Sequence, residues 1–96
     1  MTIKAIIELQ AKPGIRDELL KALEAIEGER ENAPGFLGFS RYEVIDDPDK
    51  LIEISEWETR EARQIWLEKS TESGLLNRLV STLRDSFNAV TVRQLK

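Results

Sequence analysis

Apolar side chains recur along this chain in two alternating rhythms, and the order of those rhythms predicts its fold. Ile3–Ala11 is apolar and β-branched and stops at Lys12-Pro13-Gly14. It reads as a strand, and a central one, because the neighbours Ile6 and Ile7 must point to opposite faces. From Ile15 onward the apolar positions Ile15, Leu19, Ala22, Leu23 and Ile26 fall at helical spacing. Asp17, Glu18, Lys21, Glu24, Glu27 and Arg30 fill the other face, which reads as solvated. Pro13 suits the first turn of that helix, where its missing N–H leaves nothing unpaired. The helix should end near Asn32, ahead of Pro34-Gly35.

Phe36–Asp46 predicts a second strand, rich in Phe, Tyr, Val and Ile, and Asp46-Asp47-Pro48-Asp49 predicts a turn whose Asp side chains bond nearby backbone N–H groups. Leu51–Trp57 returns as a third strand, so strands two and three form a hairpin. Thr59 can cap a helix from Arg60 to about Lys69, with Ala62, Ile65 and Trp66 on its inner stripe. Ser70-Thr71-Glu72-Ser73-Gly74 should interrupt it before a further helical stretch carrying Leu75, Leu76, Leu79, Val80 and Leu83. Phe87–Leu95 closes as a fourth strand. The order strand-helix-strand-strand-helix-strand predicts a single α+β domain over residues 1–96, a ferredoxin-like βαββαβ fold with a four-stranded antiparallel sheet.

Such a sheet carries helices on one face only. Its strands nevertheless place apolar groups on both faces (Ile6 and Ile7, Phe36 and Phe39, Leu51 and Ile52), more than a monomer ordinarily exposes. A homodimer with the two sheets face to face is the expectation.

Charge and composition narrow the chemistry. The net charge of −4 disfavours nucleic acid or an anionic membrane as partner, since both need a basic surface. The chain has no cysteine, which removes disulfides, thiolate metal sites and cysteine nucleophiles, and no histidine, which removes the commonest general base and transition-metal ligand. No apolar run approaches the roughly 20 residues of a membrane span, and the first residues are too short for a signal peptide's apolar region, so a cytoplasmic location is the default expectation. Asp46, Asp47 and Asp49 lack the glycine and the later glutamate of a calcium-binding EF-hand loop, and a turn accounts for them; no metal site is expected.

Two tryptophans stand nine residues apart, Trp57 at the end of a strand-like run and Trp66 within the helix-like run that follows. Indole offers a flat apolar surface and one N–H donor, so two rings on one pocket suit an aromatic ligand; packing of both in the core is the competing reading.

The frame around them resembles the antibiotic-biosynthesis monooxygenase (ABM) family of small dimeric α+β barrels. Lys12-Pro13-Gly14 between strand one and helix one, Ala33-Pro34-Gly35-Phe36-Leu37-Gly38-Phe39 leading into strand two, and Glu56-Trp57-Glu58-Thr59-Arg60-Glu61-Ala62 closing strand three appear in the family's order across nearly the whole chain. The resemblance implies a small-molecule pocket inside each subunit, between sheet and helices. It also implies either a cofactor-independent oxygenase acting on anthrones or quinols, or a haem-degrading enzyme. The haem-degrading group pairs an Asn on strand one with a Trp on helix two and a His about ten residues later. Trp66 matches the Trp position, while Ile7 takes the Asn position and the His position falls near Leu76. Haem iron needs a His, Cys, Met or Tyr donor, so the missing His argues against haem degradation. The quinol oxygenases commonly carry His at the Trp66 position and near Thr71, and both are absent here.

A cofactor-free oxygenase needs only an apolar cavity, polar groups that orient the oxygens, and a base. The expectation is therefore a monooxygenase that oxidises a small aromatic substrate with O2, without metal or flavin. Trp66 is the candidate catalytic residue, its indole N–H donating to a carbonyl while its ring stacks on the substrate. Ile7, Phe39, Arg41, Tyr42, Trp57 and Leu76 are the candidate substrate-binding residues, with Arg41 placed to orient an anionic oxygen unless a neighbouring acid pairs with it. The base would be a strand carboxylate (Glu8, Glu53 or Glu56), the only tyrosine, Tyr42, or the substrate's own ionisation. The alternative is a non-catalytic module of the same shell that binds a small molecule, haem included, or serves dimerisation.

Overall fold

The computed structural model describes residues 2–95. Its elements run β1 (Ile3–Gln10), α1 (Arg16–Arg30), β2 (Phe36–Val44), β3 (Asp47–Trp57), α2 (Arg60–Ser73), α3 (Leu75–Thr82) and β4 (Asn88–Val92). The strands form one antiparallel sheet in the order β2-β3-β1-β4, the ferredoxin-like arrangement expected from the chain order.

Alternation along the strands decides which residues meet the helices. On β1 the odd positions Ile3, Ala5 and Leu9 are buried, and on β3 Leu51, Glu53, Ser55 and Trp57 are. Leu19, Ala22, Leu23 and Ile26 of α1 and Leu79 of α3 close over that face, and Leu9, Ala11, Leu51 and Leu83 complete the core. The even positions form the opposite face, where no element among the described residues covers them. There Ile6 stands directly between Ile54 on β3 and Val90 on β4. No helix among the described residues is long and apolar enough to cross a membrane.

Four local details of the helices and the hairpin turn depart from the sequence expectations, each for a physical reason. Helix α1 starts at Arg16 and not at Pro13, because Gly14 adopts φ +77°, a left-handed conformation that cannot enter the helix. The β2–β3 turn is tighter than the four-residue Asp-rich one expected: Val44 already pairs with Asp47, and Pro48 falls in a register irregularity where its missing N–H breaks no ladder bond. The expected Asx contact is present, with Asp49 N–H donating to Asp47 Oδ1 at 3.1 Å.

Helix α2 continues through the Ser/Thr-rich stretch expected to break it. The hydroxyls of Ser70 and Thr71 each donate at 2.8 Å to the carbonyl four residues back, those of Trp66 and Leu67, and so stay compatible with the helix. The break is confined to Gly74, whose φ of +79° caps α2 and starts α3. The fourth correction concerns Arg30, which the sequence placed on the solvated face. It is buried, because it continues the Leu19-Leu23-Ile26 stripe at helical spacing.

Candidate functional site

Two hollows meet at Trp66. One is an open groove of about 600 Å³ between the end of α1, the loop 31–35 and α2, with Asn32, Pro34, Ala62, Ile65 and Ser73 on its walls. The other is an interior cavity of about 40 Å³ between sheet and helices, whose wall includes Ile7, Trp57, Arg63, Leu76 and Phe87. Trp66 lines both, so its ring is the partition between them.

Local structure fixes that partition. Thr59 Oγ1 accepts from Ala62 N–H at 3.0 Å and sets the start of α2. Glu58 N–H donates to Gly35 O at 2.8 Å, which ties the loop to the same end of the helix. Gly35 has φ +85°, and a Cβ there would lie 2.6 Å from Ala62 Cβ, so only glycine allows loop and helix to approach this closely. The Trp66 ring then packs 6.0 Å, centroid to centroid, from Trp57.

The two indoles differ in what they have left to offer. Trp57 is 1% exposed, and its N–H donates to Ser55 Oγ at 3.1 Å. Phe36 adds an edge contact at 5.0 Å. Trp66 is half-buried, and its N–H has no hydrogen-bond partner among the described residues. A free donor and a free ring edge at the mouth of a cavity are what an aromatic ligand with a carbonyl oxygen requires.

The floor of the site is charged. Glu53, on the buried face of β3, accepts at Oε1 from Arg30 Nη1 at 2.6 Å and at Oε2 from Arg41 Nη2 at 3.0 Å. Arg41 also reaches Glu27 Oε1 at 2.6 Å. Arg30 and Glu53 side chains are 4% and 3% exposed, so this is a desolvated pair. Phe36 and Phe39 pack against the Arg30 guanidinium at 4.8 and 4.9 Å from its carbon, and Trp66 stands at 5.9 Å. Arg63 forms no ion pair among the described residues. Its burial, and secondarily the charge of Arg30, push its guanidinium below the ordinary arginine range.

Of the residues expected from sequence, Ile7, Trp57, Trp66 and Leu76 share the interior cavity. Phe39 lies on the same face of the sheet but faces a separate shallow hollow with Glu24 and Glu31, touching the site only through the Arg30 guanidinium. Arg41 is spent on Glu53 and Glu27, and does not line the cavity. Tyr42 pairs with Ile52 on the uncovered face and is 53% exposed, away from the cavity, because strand alternation turns it opposite to Arg41. Glu8 and Glu56 are also on that face, where Glu8 lies 3.8 Å from Lys50 Nζ and Glu56 accepts from Thr2. Among the described residues no group of three or more acidic side chains is placed to hold a metal ion. Arg30 and Arg63 were missed because each reads, singly, as a surface charge on a helix.

A family model described as antibiotic biosynthesis monooxygenase matches residues 2–71. No curated protein matches the chain by sequence. Solved structures share its fold. A conserved protein from Methanosarcina mazei Go1 is 16% identical with a TM-score of 0.88, covering 99% of this chain and 94% of its own. A structure described as an antibiotic biosynthesis monooxygenase is 20% identical with a TM-score of 0.85, covering 98% and 99%. SnoaB, a cofactor-independent oxygenase from Streptomyces nogalater solved in mutant form, is 15% identical with a TM-score of 0.82, covering 98% and 95%. Identities this low speak for the fold alone.

Proposed function

The chain belongs to the antibiotic biosynthesis monooxygenase family, and from that premise we propose that it is a cofactor-independent monooxygenase that oxidises a small, quinol- or anthrone-like aromatic substrate with O2. The observation that carries this reading is Trp66, which stands between an open groove and an interior cavity with its indole N–H unpaired. A ring in the groove would stack on the indole, and a carbonyl or phenol oxygen would accept its N–H. Ile7, Trp57 and Leu76 would supply the apolar wall behind it.

The chemistry asks little of such a site. An ionised substrate reduces O2 directly; for an anthrone, the ring CH2 becomes a carbonyl, one oxygen atom is incorporated and the other leaves as water. With no histidine or cysteine in the sequence and both oxygens of Glu53 engaged by arginine, the substrate's own ionisation supplies the carbanion. The positive guanidinium groups beside the cavity favour that ionised form.

The active unit in this reading is a cytoplasmic homodimer, its sheets packed through the face that carries Ile6, Ile52, Ile54 and Val90. Oxygen uptake over a panel of quinols and anthrones, beside a protein-free blank and Trp66→Phe, tests the proposal. Uptake above the blank that falls at least about tenfold in a folded Trp66→Phe is the expected result, the size of one lost hydrogen bond to a transition-state oxygen. No uptake above the blank with any of them would remove the oxygenase reading and leave a binding module.

A further inference from the structure

Among the described residues the only buried side-chain polar atoms without a hydrogen-bond partner are Nε and Nη2 of Arg30. These two are not a random pair. They form one edge of the guanidinium, the parallel fork that holds a carboxylate by two N–H···O bonds. Glu53 takes Nη1 only, at 2.6 Å. A structural ion pair would gain by using the fork; here the fork is left unpaired and closed to water on a side chain that lines the interior cavity, so an incoming oxygen must displace a neighbouring group to reach it.

We propose that Arg30, assisted by Arg63, forms an oxyanion subsite that seats the carboxylate of an aromatic substrate. The inference rests on reading the cavity and groove as the substrate site, and it names the class of molecule that fits there.

Charge, size and direction agree. The cluster holds three guanidinium groups, Arg30, Arg41 and Arg63, against two carboxylates, Glu27 and Glu53, which leaves one positive charge for a monoanion. The cavity of about 40 Å³ is too small for an aromatic ring, given that a single water needs roughly 10–15 Å³, but it accommodates a carboxylate-sized group. The groove beyond Trp66 has three acids, Glu29, Glu58 and Glu61, on its walls against one cation, Lys69, and so carries a negative balance. Those acids repel an anion left outside, so the charged end of the ligand enters the cavity and a neutral ring remains against Trp66. Ring and carboxylate then lie on the two sides of the partition, and the Trp66 indole must shift to admit the bond between them.

The probes are 2-naphthoate and its neutral counterpart 2-naphthamide, titrated by calorimetry with tryptophan fluorescence as a second readout. Wild-type protein should bind the carboxylate at least about tenfold more tightly than the amide, the increment of a charge-assisted bidentate contact. Arg30→Lys keeps the charge without the fork and should reduce that preference to less than about threefold; circular dichroism checks its folding. Should Arg30→Lys fail to fold, Arg63→Gln, at a side chain with no ion pair to lose, should weaken naphthoate alone. Equal affinity for the two probes, no binding of naphthoate, or a preference unchanged in the folded variant overturns the subsite. None of these titrations consumes O2. Naphthoate preference without oxygen uptake on any substrate would keep the subsite and discard the oxygenase; uptake on neutral quinols without naphthoate preference would do the reverse.

Discussion

Arg30 and Glu53 meet at 2.6 Å beneath the helices, each almost wholly out of water, through a single guanidinium nitrogen. A buried pair joined in this way is poor at stabilising a fold, since desolvating two charges consumes most of their attraction. Removing one partner alone is much worse. Glu53→Gln should therefore cost about 3–5 kcal/mol, because it strips the anion from Arg30 and Arg41 together. Replacing both partners by apolar residues, Arg30→Met with Glu53→Leu, should recover most of that loss, as Arg41 keeps Glu27 at 2.6 Å. Urea unfolding of the single and double variants measures the difference. A double variant no more stable than Glu53→Gln would show the pair to be a net stabiliser.

The two tryptophans should separate under truncation. Trp57 is fully buried, touches Phe36 and Trp66, and spends its N–H on Ser55. Trp57→Ala should cost about 3–5 kcal/mol, the range for a large aromatic removed from a core. Trp66 faces the groove on one side, so Trp66→Ala removes less buried area and should cost clearly less. Thermal melts of the two variants decide it. An equal loss would make Trp66 a core residue and weaken its assignment to the pocket.

Periodicity made most of the fold legible. The strand and helix positions, their order, the cap at Thr59 and the two faces of β1 and β3 follow from where apolar groups recur, and the sheet order agrees. On β2 the expectation fails, because the irregularity between Phe36 and Gly38 turns Phe36 and Phe39 to one face, against Arg30. Less of the site was legible, and Arg30 shows why. Its position continues the stripe Leu19, Leu23, Ile26 at helical spacing, yet a charged side chain at the end of a helix reads as solvated unless its partner is known. That partner, Glu53, lies 23 residues further on, and only the register of β3 turns it inward. Arg41 and Tyr42 illustrate the same limit. They are adjacent in sequence, so at most one can face the cavity side of the sheet, and nothing local says which.

Two glycines should respond to alanine with opposite sign. Gly28 lies in the last turns of α1, in ordinary helical geometry with open space where a Cβ would go. Gly28→Ala should stabilise by about 0.5–1 kcal/mol, from helix propensity and a less flexible unfolded chain. Gly35 combines φ +85° with a Cβ position 2.6 Å from Ala62 Cβ. The left-handed conformation alone costs about 1–2 kcal/mol for a residue with a Cβ, and the clash adds to it by pushing the loop away from α2. Gly35→Ala should be destabilising by more than that, and it should also loosen any ligand held in the groove. Denaturation midpoints test both; a neutral Gly35→Ala would mean that loop and helix can separate without loss.

The uncovered face of the sheet bears the last prediction. Across three strands Ile54, Ile6 and Val90 form one row, with each isoleucine only half-buried and Val90 58% exposed. The neighbouring row, Tyr42, Ile52, Glu8 and Asn88, brings polar groups to its edge. An apolar centre with a polar rim is the pattern of a surface that meets another protein surface. In the dimeric reading two such faces stack, and the row is self-complementary about a two-fold axis. Ile54→Lys puts a charge at the centre of that contact, paired with nothing, while on an isolated subunit the same lysine would simply reach into water. The variant should sediment as a monomer at concentrations where the wild type sediments as a dimer, and its circular dichroism should be unchanged. A wild-type chain that is already monomeric at tens of micromolar, or a variant that remains dimeric, would place the contact elsewhere.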